Sequence, residues 1–196
     1  MQKRQKDNMI SHYKRELAKM MSDQDFVRYL GGSVENKIIK YGDLSNYRNI
    51  NQLLPNDNDY CVILIESEKN SGHWCCLTRK GDTITEFDSY GDGGLDHELK
   101  FIPKQMQRCL GEEPNEMRDL LRTRGKGVKL IQNKMKLQSK GDPSSGVDVN
   151  TCGKHCISYI LASRMGYTLP EYQELVKREM EKEGKPSDIV VCDWIK

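Results

Sequence analysis

Cys152 stands where a polar loop, SKGDPSSGVDVN, gives way to an apolar helical pattern, TCGKHCISYILA. A thiol attacks carbonyl carbon at neutral pH only when its surroundings hold it as thiolate. The amino-terminal end of a helix and a neighbouring imidazolium are common ways to do so. Cys152 meets the first condition by position, and Gly153 after it leaves room for a substrate backbone to approach. Cys156 lies one turn further in, where a cysteine serves as a small apolar core group and burial raises its pKa.

The chain has four histidines as possible partners. His12 falls in a charged first helix, His97 in a charged segment, and His155 beside Cys156. His73 opens an extended run after the turn signal Asn70-Ser71-Gly72, and it alone has an acid in a definable relation. If Gly81-Asp82 forms a two-residue hairpin turn, Lys80 pairs with Thr83, Cys75 lies opposite Asp88, and His73 lies opposite Tyr90. His73 and Asp88 then share a face diagonally, where a carboxylate fixes the imidazole tautomer. A three-residue turn would slip the register and send Asp88 to the other face. The oxyanion of a tetrahedral intermediate needs an amide donor besides a backbone N–H. Gln138, Gln132 and Asn150 all precede Cys152 and are available.

Positioning these groups requires a sheet and a helix. Tyr60 to Glu66 is short, β-rich and bounded by turn residues, which predicts a buried central strand. The hairpin of His73 to Arg79 and Thr83 to Asp88 follows, then the glycine-rich SYGDGG, then a helical pattern over Leu95 to Cys109 interrupted by Pro103. Lys126 to Leu137 reads as a second strand region. The spacing of Tyr13, Leu17, Met20 and Met21 predicts a first helix, and Ser22-Asp23 caps a second that Gly31-Gly32 stops. Pro170 begins a late helix reaching Met180, followed by a Gly/Pro break and the apolar run Ile189 to Trp194. The 196 residues are read as one domain: a helical segment at 1–50, a core at 55–165, and a closing helix and tail at 166–196.

Composition narrows the classes. No run approaches the roughly 18 apolar residues of a membrane span, and the first residues lack the apolar core of a signal peptide, so a soluble, unsecreted protein with no membrane partner is expected. Seven cysteines, an odd number without CxxC spacing, are expected to be reduced thiols. Net charge is only +2, yet residues 118–140 carry eight Lys or Arg against the single acid Asp119, a face suited to solvent or to a polyanion.

The blocks SGHWCCLTRKGDTITEFDSYG and LQSKGDPSSGVDVNTCGKHC, with their spacing, resemble the adenovirus-type maturation proteases. More widely they are similar to the SUMO- and ubiquitin-like-specific proteases of the same clan. His73-Trp74, Phe87 to Gly91 and Cys152-Gly153 carry the likeness, which spans about residues 55 to 165. The form Thr-Cys-Gly-Lys-His-Cys looks most like proteases of virophages and of Polinton or Maverick elements, which are inferred to process capsid proteins. The resemblance implies an α+β, papain-like fold with a mostly antiparallel central sheet flanked by helices. It also implies a catalytic set His73, Asp88, Gln138 and Cys152, with Trp74 structural. The family's glutamine stands nearer its nucleophile, where this chain has Ser145 and Gly146. Gln138 therefore takes the place across a loop insertion, with Gln132 as second choice. The substrate so implied is a capsid precursor, the setting a virion or the infected cell interior. No cofactor is required, but DNA or a peptide could act as activator.

Three other readings compete. Removal of ubiquitin-like modifiers would use the same catalytic set. A zinc module could draw on His73, Cys75 or Cys76 with Cys152, His155 or Cys156. A nucleic-acid-binding protein could be built on residues 118–140, although that run lacks interleaved aromatics.

Overall fold

The computed structural model describes residues 2–141 and 147–196, with side chains from Asn8 onward. Ser145 and Gly146 therefore lie outside the described residues. Five strands form one sheet in the order β1 (Ile38–Lys40), β2 (Tyr60–Glu68), β3 (Ser71–Lys80), β4 (Thr83–Phe87) and β5 (Lys129–Gln132). The sheet is mixed: β2–β3 and β3–β4 are antiparallel, while β1–β2 and β4–β5 are parallel. The mostly antiparallel sheet that the resemblance implied is thus antiparallel only at its two central pairings. The two parallel edges belong to short strands reached through long irregular connections, which leave little periodic signal.

Alternation along the strands divides the interior in two. Val62, Leu64, Trp74 and Cys76 face one core, shared with α2 (Asp23–Leu30), α6 (Cys152–Arg164) and α7 (Leu169–Glu183). Cys61, Ile63, Ile65, Cys75 and Leu77 face the other. They meet residues of α3 (Leu95–Glu98), α5 (Glu116–Arg122) and the 3₁₀ turns around Tyr41, Leu44 and Ile50. A sheet covered on both faces explains why Tyr60 to Glu66 is buried throughout instead of alternating.

Local signals set most boundaries. Ser22 and Asp25 form a reciprocal capping box at the start of α2, and Gly31, at φ +96°, ends it. The Leu95 to Cys109 region divides into α3, a 3₁₀ turn at Leu99–Phe101 and α4 (Lys104–Leu110), with Pro103 at the break. The last apolar run is a helix, α8 (Ser187–Trp194).

Two boundaries depart from the pattern. Helix α1 (Gln2–Ala18) stops before Met20 and Met21, and Met21 turns inward against α6. The second strand region contracts to Lys129–Gln132 because Asn133 leaves the ladder: its amide donates to the carbonyls of Asp88 at 2.5 Å and Met135 at 3.0 Å. The chain from Asn133 to Gln138 then runs along the end of β4, and this brings Gln138 to the site.

Candidate active site

The two-residue turn at Gly81-Asp82 gives Lys80↔Thr83 and Cys76↔Phe87, the register in which Cys75 faces Asp88 and His73 faces Tyr90. His73 Nε2 lies 2.7 Å from Asp88 Oδ1, and the His73 and Tyr90 rings stack with centroids 4.6 Å apart. The Tyr90 amide donates to the same carboxylate oxygen at 3.0 Å, fixing Asp88 beyond the end of its strand. With Nε2–H given to Asp88, Nδ1 is the ring nitrogen left for a thiol.

Cys152 is the first residue of α6, so its amide N–H points outward at the helix end. Its thiol sits with His73, Tyr90, Glu98 and Gln138 around a cleft of ≈ 250 Å³. Burial alone would raise the Cys152 pKa. The His73 hydrogen bond and positive charge, joined by the Trp74 and Gly153 amides, outweigh burial and hold it below the ordinary thiol value. Burial likewise opposes charge on His73, yet the Cys75 sulfur, Asp88 and Cys152 raise its pKa well above the ordinary imidazole. Burial pushes the pKa of Cys75 itself well above the ordinary thiol value. The arrangement favours an imidazolium–thiolate pair.

Gln138 is buried and its amide is oriented: Ser89 Oγ donates to its Oε1 at 2.7 Å, while Nε2 donates to the Val149 carbonyl at 3.0 Å. The second N–H of Nε2 faces Tyr90 Oη at a long 3.4 Å. Gln132 is spoken for elsewhere, its Nε2 on Glu86 Oε2 at 2.7 Å, and the Asn150 side chain caps the Ala18 carbonyl at 3.0 Å. Of the three amides, Gln138 and Asn150 line the Cys152 cleft and Gln132 does not.

The other cysteine and histidine of α6 are turned away. Cys156 donates to the Trp74 carbonyl at 3.3 Å, and burial raises its pKa well above the ordinary value. His155, fully buried, pairs through Nε2 with Asp188 Oδ1 at 3.2 Å. The mixed zinc set is therefore not assembled, because these two side chains leave the sheet end; among the described residues, Cys75 and Asp88 are the groups that gather with His73.

Asp188 is an acid that the sequence did not reveal, since spacing assigned His73 alone an orienting carboxylate. It ties two segments to the start of α8: Thr151 Oγ1 and His155 meet its Oδ1, and the Ser139 amide donates to Oδ2 at 3.0 Å. Next to it, Ser187 Oγ donates to the Leu137 carbonyl. The first turn of α8 thus clamps both the Gln138 loop and the amino terminus of α6. An His–Asp pairing between two helices has no fixed spacing, so only the proximity of polar residues to the apolar run of α8 hinted at it.

Gly153 serves packing and not substrate access. A Cβ there would lie 2.6 Å from Met21 Cβ and 3.3 Å from Trp74 Cδ1. Trp74 is buried, with its indole N–H donated to the Met21 carbonyl at 2.9 Å and its ring edge-on to Phe26. From the other side, buried Lys154 reaches Glu16 of α1 at 2.9 Å.

The basic run of 118–140 is divided between α5, the turn after it, β5 and the irregular segment that follows β5. Arg118, Arg122 and Arg124 line a second cavity of ≈ 340 Å³ with His97 and Lys100, on the far side of α3 from Cys152. No helix among the described residues is long and apolar enough to cross a membrane.

A protein of Sputnik virophage, described only as uncharacterized protein V9, is 32% identical to the chain over 146 residues, which cover 74% of this chain and 77% of the virophage protein. No family model matches the chain, and no solved structure matches it.

Proposed function

The chain belongs to the family of the Sputnik virophage protein V9, and on that premise we propose that it is a cysteine endopeptidase that matures virion proteins. The observation that carries the reading is the cleft that Cys152 shares with Gln138 and with His73, itself held at 2.7 Å by Asp88. The motif resemblance to adenovirus-type proteases and the His73-before-Cys152 order support a papain-like arrangement in that family's topology.

In this mechanism the Cys152 thiolate adds to a peptide carbonyl carbon, and the carbonyl π electrons move to oxygen. The Cys152 amide and Gln138 Nε2 donate to that oxyanion. Collapse breaks the C–N bond as His73 gives its proton to the departing amine. The thioester left on Cys152 is attacked by water, which His73 deprotonates, and the acid product leaves with Cys152 again paired to His73. Asp88 keeps Nε2 protonated and the ring aligned throughout.

The substrate class is a capsid precursor inside the virion or infected cell, and the basic groups near Arg118 to Arg124 suit activation by a polyanion. Incubating the reduced protein with a virophage capsid precursor and, separately, with a ubiquitin-like-modifier conjugate tests the reading. Cleavage of the precursor that disappears in Cys152→Ala supports it. Cleavage of the conjugate alone assigns the catalytic set to modifier removal, and cleavage of neither by polyanion-supplemented protein at low salt counts against peptidase activity.

A further inference from the structure

A second cluster of donors lies on the other flank of the cleft. The glycine-rich turn after β4, with Gly93 and Gly94 both at positive φ, folds Asp92 back toward α3. One donor atom each from Asp92, His97 and Glu98 lies within 4.8 Å of the others. The cluster's position in the fold is distinctive: Glu98 lines the Cys152 cleft while His97 lines the basic cavity behind α3.

Two of the three side chains hold a buried polar atom without a partner, Glu98 being itself buried and His97 half-buried. Glu98 is only 6% exposed, and its Oε1 has no hydrogen-bond partner; His97 Nδ1 is likewise buried and unpartnered. Unpaired buried carboxylate oxygen is costly, and hydrogen bonds among protein groups do not relieve it here. Half-exposed Lys140 pairs with Asp92 Oδ2 at 3.2 Å, and its ammonium also lies over the Phe101 ring. That cation answers Asp92 and leaves the Glu98 Oε1 and His97 Nδ1 atoms as they are.

We propose that Asp92, His97 and Glu98 form a divalent-cation site at the wall of the cleft. Two carboxylates and one imidazole are the donor set of borderline first-row ions such as Mn²⁺, Fe²⁺ and Zn²⁺. An ion about 2.1 Å from each donor holds neighbouring donors roughly 3 to 4 Å apart, so side-chain rotation of Asp92 and release of Lys140 complete the site. The ion ties the turn that carries Tyr90 to the short helix that carries Glu98, and so fixes two walls of the cleft.

Mn²⁺ is the probe, because it prefers oxygen and nitrogen donors over the chain's thiols. Titration of the full chain with Mn²⁺, read by loss of the free-ion electron paramagnetic resonance signal, should show one saturable site per chain. Glu98→Gln and His97→Ala should each weaken it by at least about tenfold, since even the outer partners of metal ligands are worth that much. Asp88→Asn, in the neighbouring His73 cluster, should leave it unchanged. Absence of saturable binding in folded wild-type protein, or equal binding by Glu98→Gln and His97→Ala, overturns the proposal. Because the readout is ion binding, it stays informative even if the chain cleaves no peptide.

Discussion

Replacing Asp188 by alanine removes a buried carboxylate that serves Thr151, His155 and the Ser139 amide together. Both side chains of its histidine pair are shielded, His155 completely and Asp188 to 5% exposure. Removing one member of such a buried pair costs about 3 to 5 kcal/mol, because the other is left desolvated and unpaired. For a chain of this length each kcal/mol corresponds to about 2 to 4 °C, so the midpoint should fall by about 6 to 20 °C. His155→Ala should cost a comparable amount, and the double variant should cost less than the sum, since neither buried partner is then orphaned. The pH dependence has a defined sign. Burial works to raise the Asp188 pKa, but His155, Thr151 and the Ser139 amide together hold it below the ordinary carboxylate value. Its stabilising contribution is thus complete above the unfolded value of about 3.9 and is lost as pH falls through the lower folded value. Urea denaturation of wild type, both single variants and the double variant at neutral pH, repeated in acid, measures all of this. Strictly additive losses, or an Asp188→Ala loss under about 1 kcal/mol, would refute the clamp.

The site itself yields further tests. Alkylation of Cys152 by a small electrophile, followed by intact-mass spectrometry, should be the fastest thiol reaction in the chain and should slow by about 10-fold or more in His73→Ala. The alkylation rate should keep its plateau from below the ordinary thiol pKa, because the Cys152 value is lowered and that of His73 raised; a rate that only begins to climb near pH ~8.5 contradicts the ion pair. Gln138→Ala should reduce kcat on a cleaved precursor by about 10²- to 10³-fold with little change in KM, measured by steady-state kinetics. Gly153→Ala should destabilise the fold by about 1 to 3 kcal/mol in thermal melts, and a neutral result would mean that Met21 yields easily.

The hairpin made the His73–Asp88 relation legible, since one two-residue turn fixes a register and a period of two fixes the faces. Cys152 was legible for a similar reason: a polar loop meeting an apolar helix marks an amino terminus wherever the helix packs. Gln138 could be named by type, but its place depends on Asn133 leaving the ladder and Ser89 gripping its amide, both tertiary events. Asp188 was not legible, because its partners lie 33, 37 and 49 positions away and meet only when α8 docks. The edge strand β1 and α5 were missed, and β5 was legible only as the wider Lys126 to Leu137 region, all three being short elements with little periodicity of their own.

The clasp around α6 also sets a timetable. Residues 187–194 emerge from the ribosome after the hairpin and the nucleophile helix, yet they supply the carboxylate and hydroxyl that pin Thr151 and the Gln138 loop. A nascent chain still short of that helix carries every group of the proposed catalytic set without the pin that holds two of their segments in place. Under the proposed function, synthesis from the amino terminus leaves the Cys152 and Gln138 segments without that pin until α8 has docked against the first turn of α6.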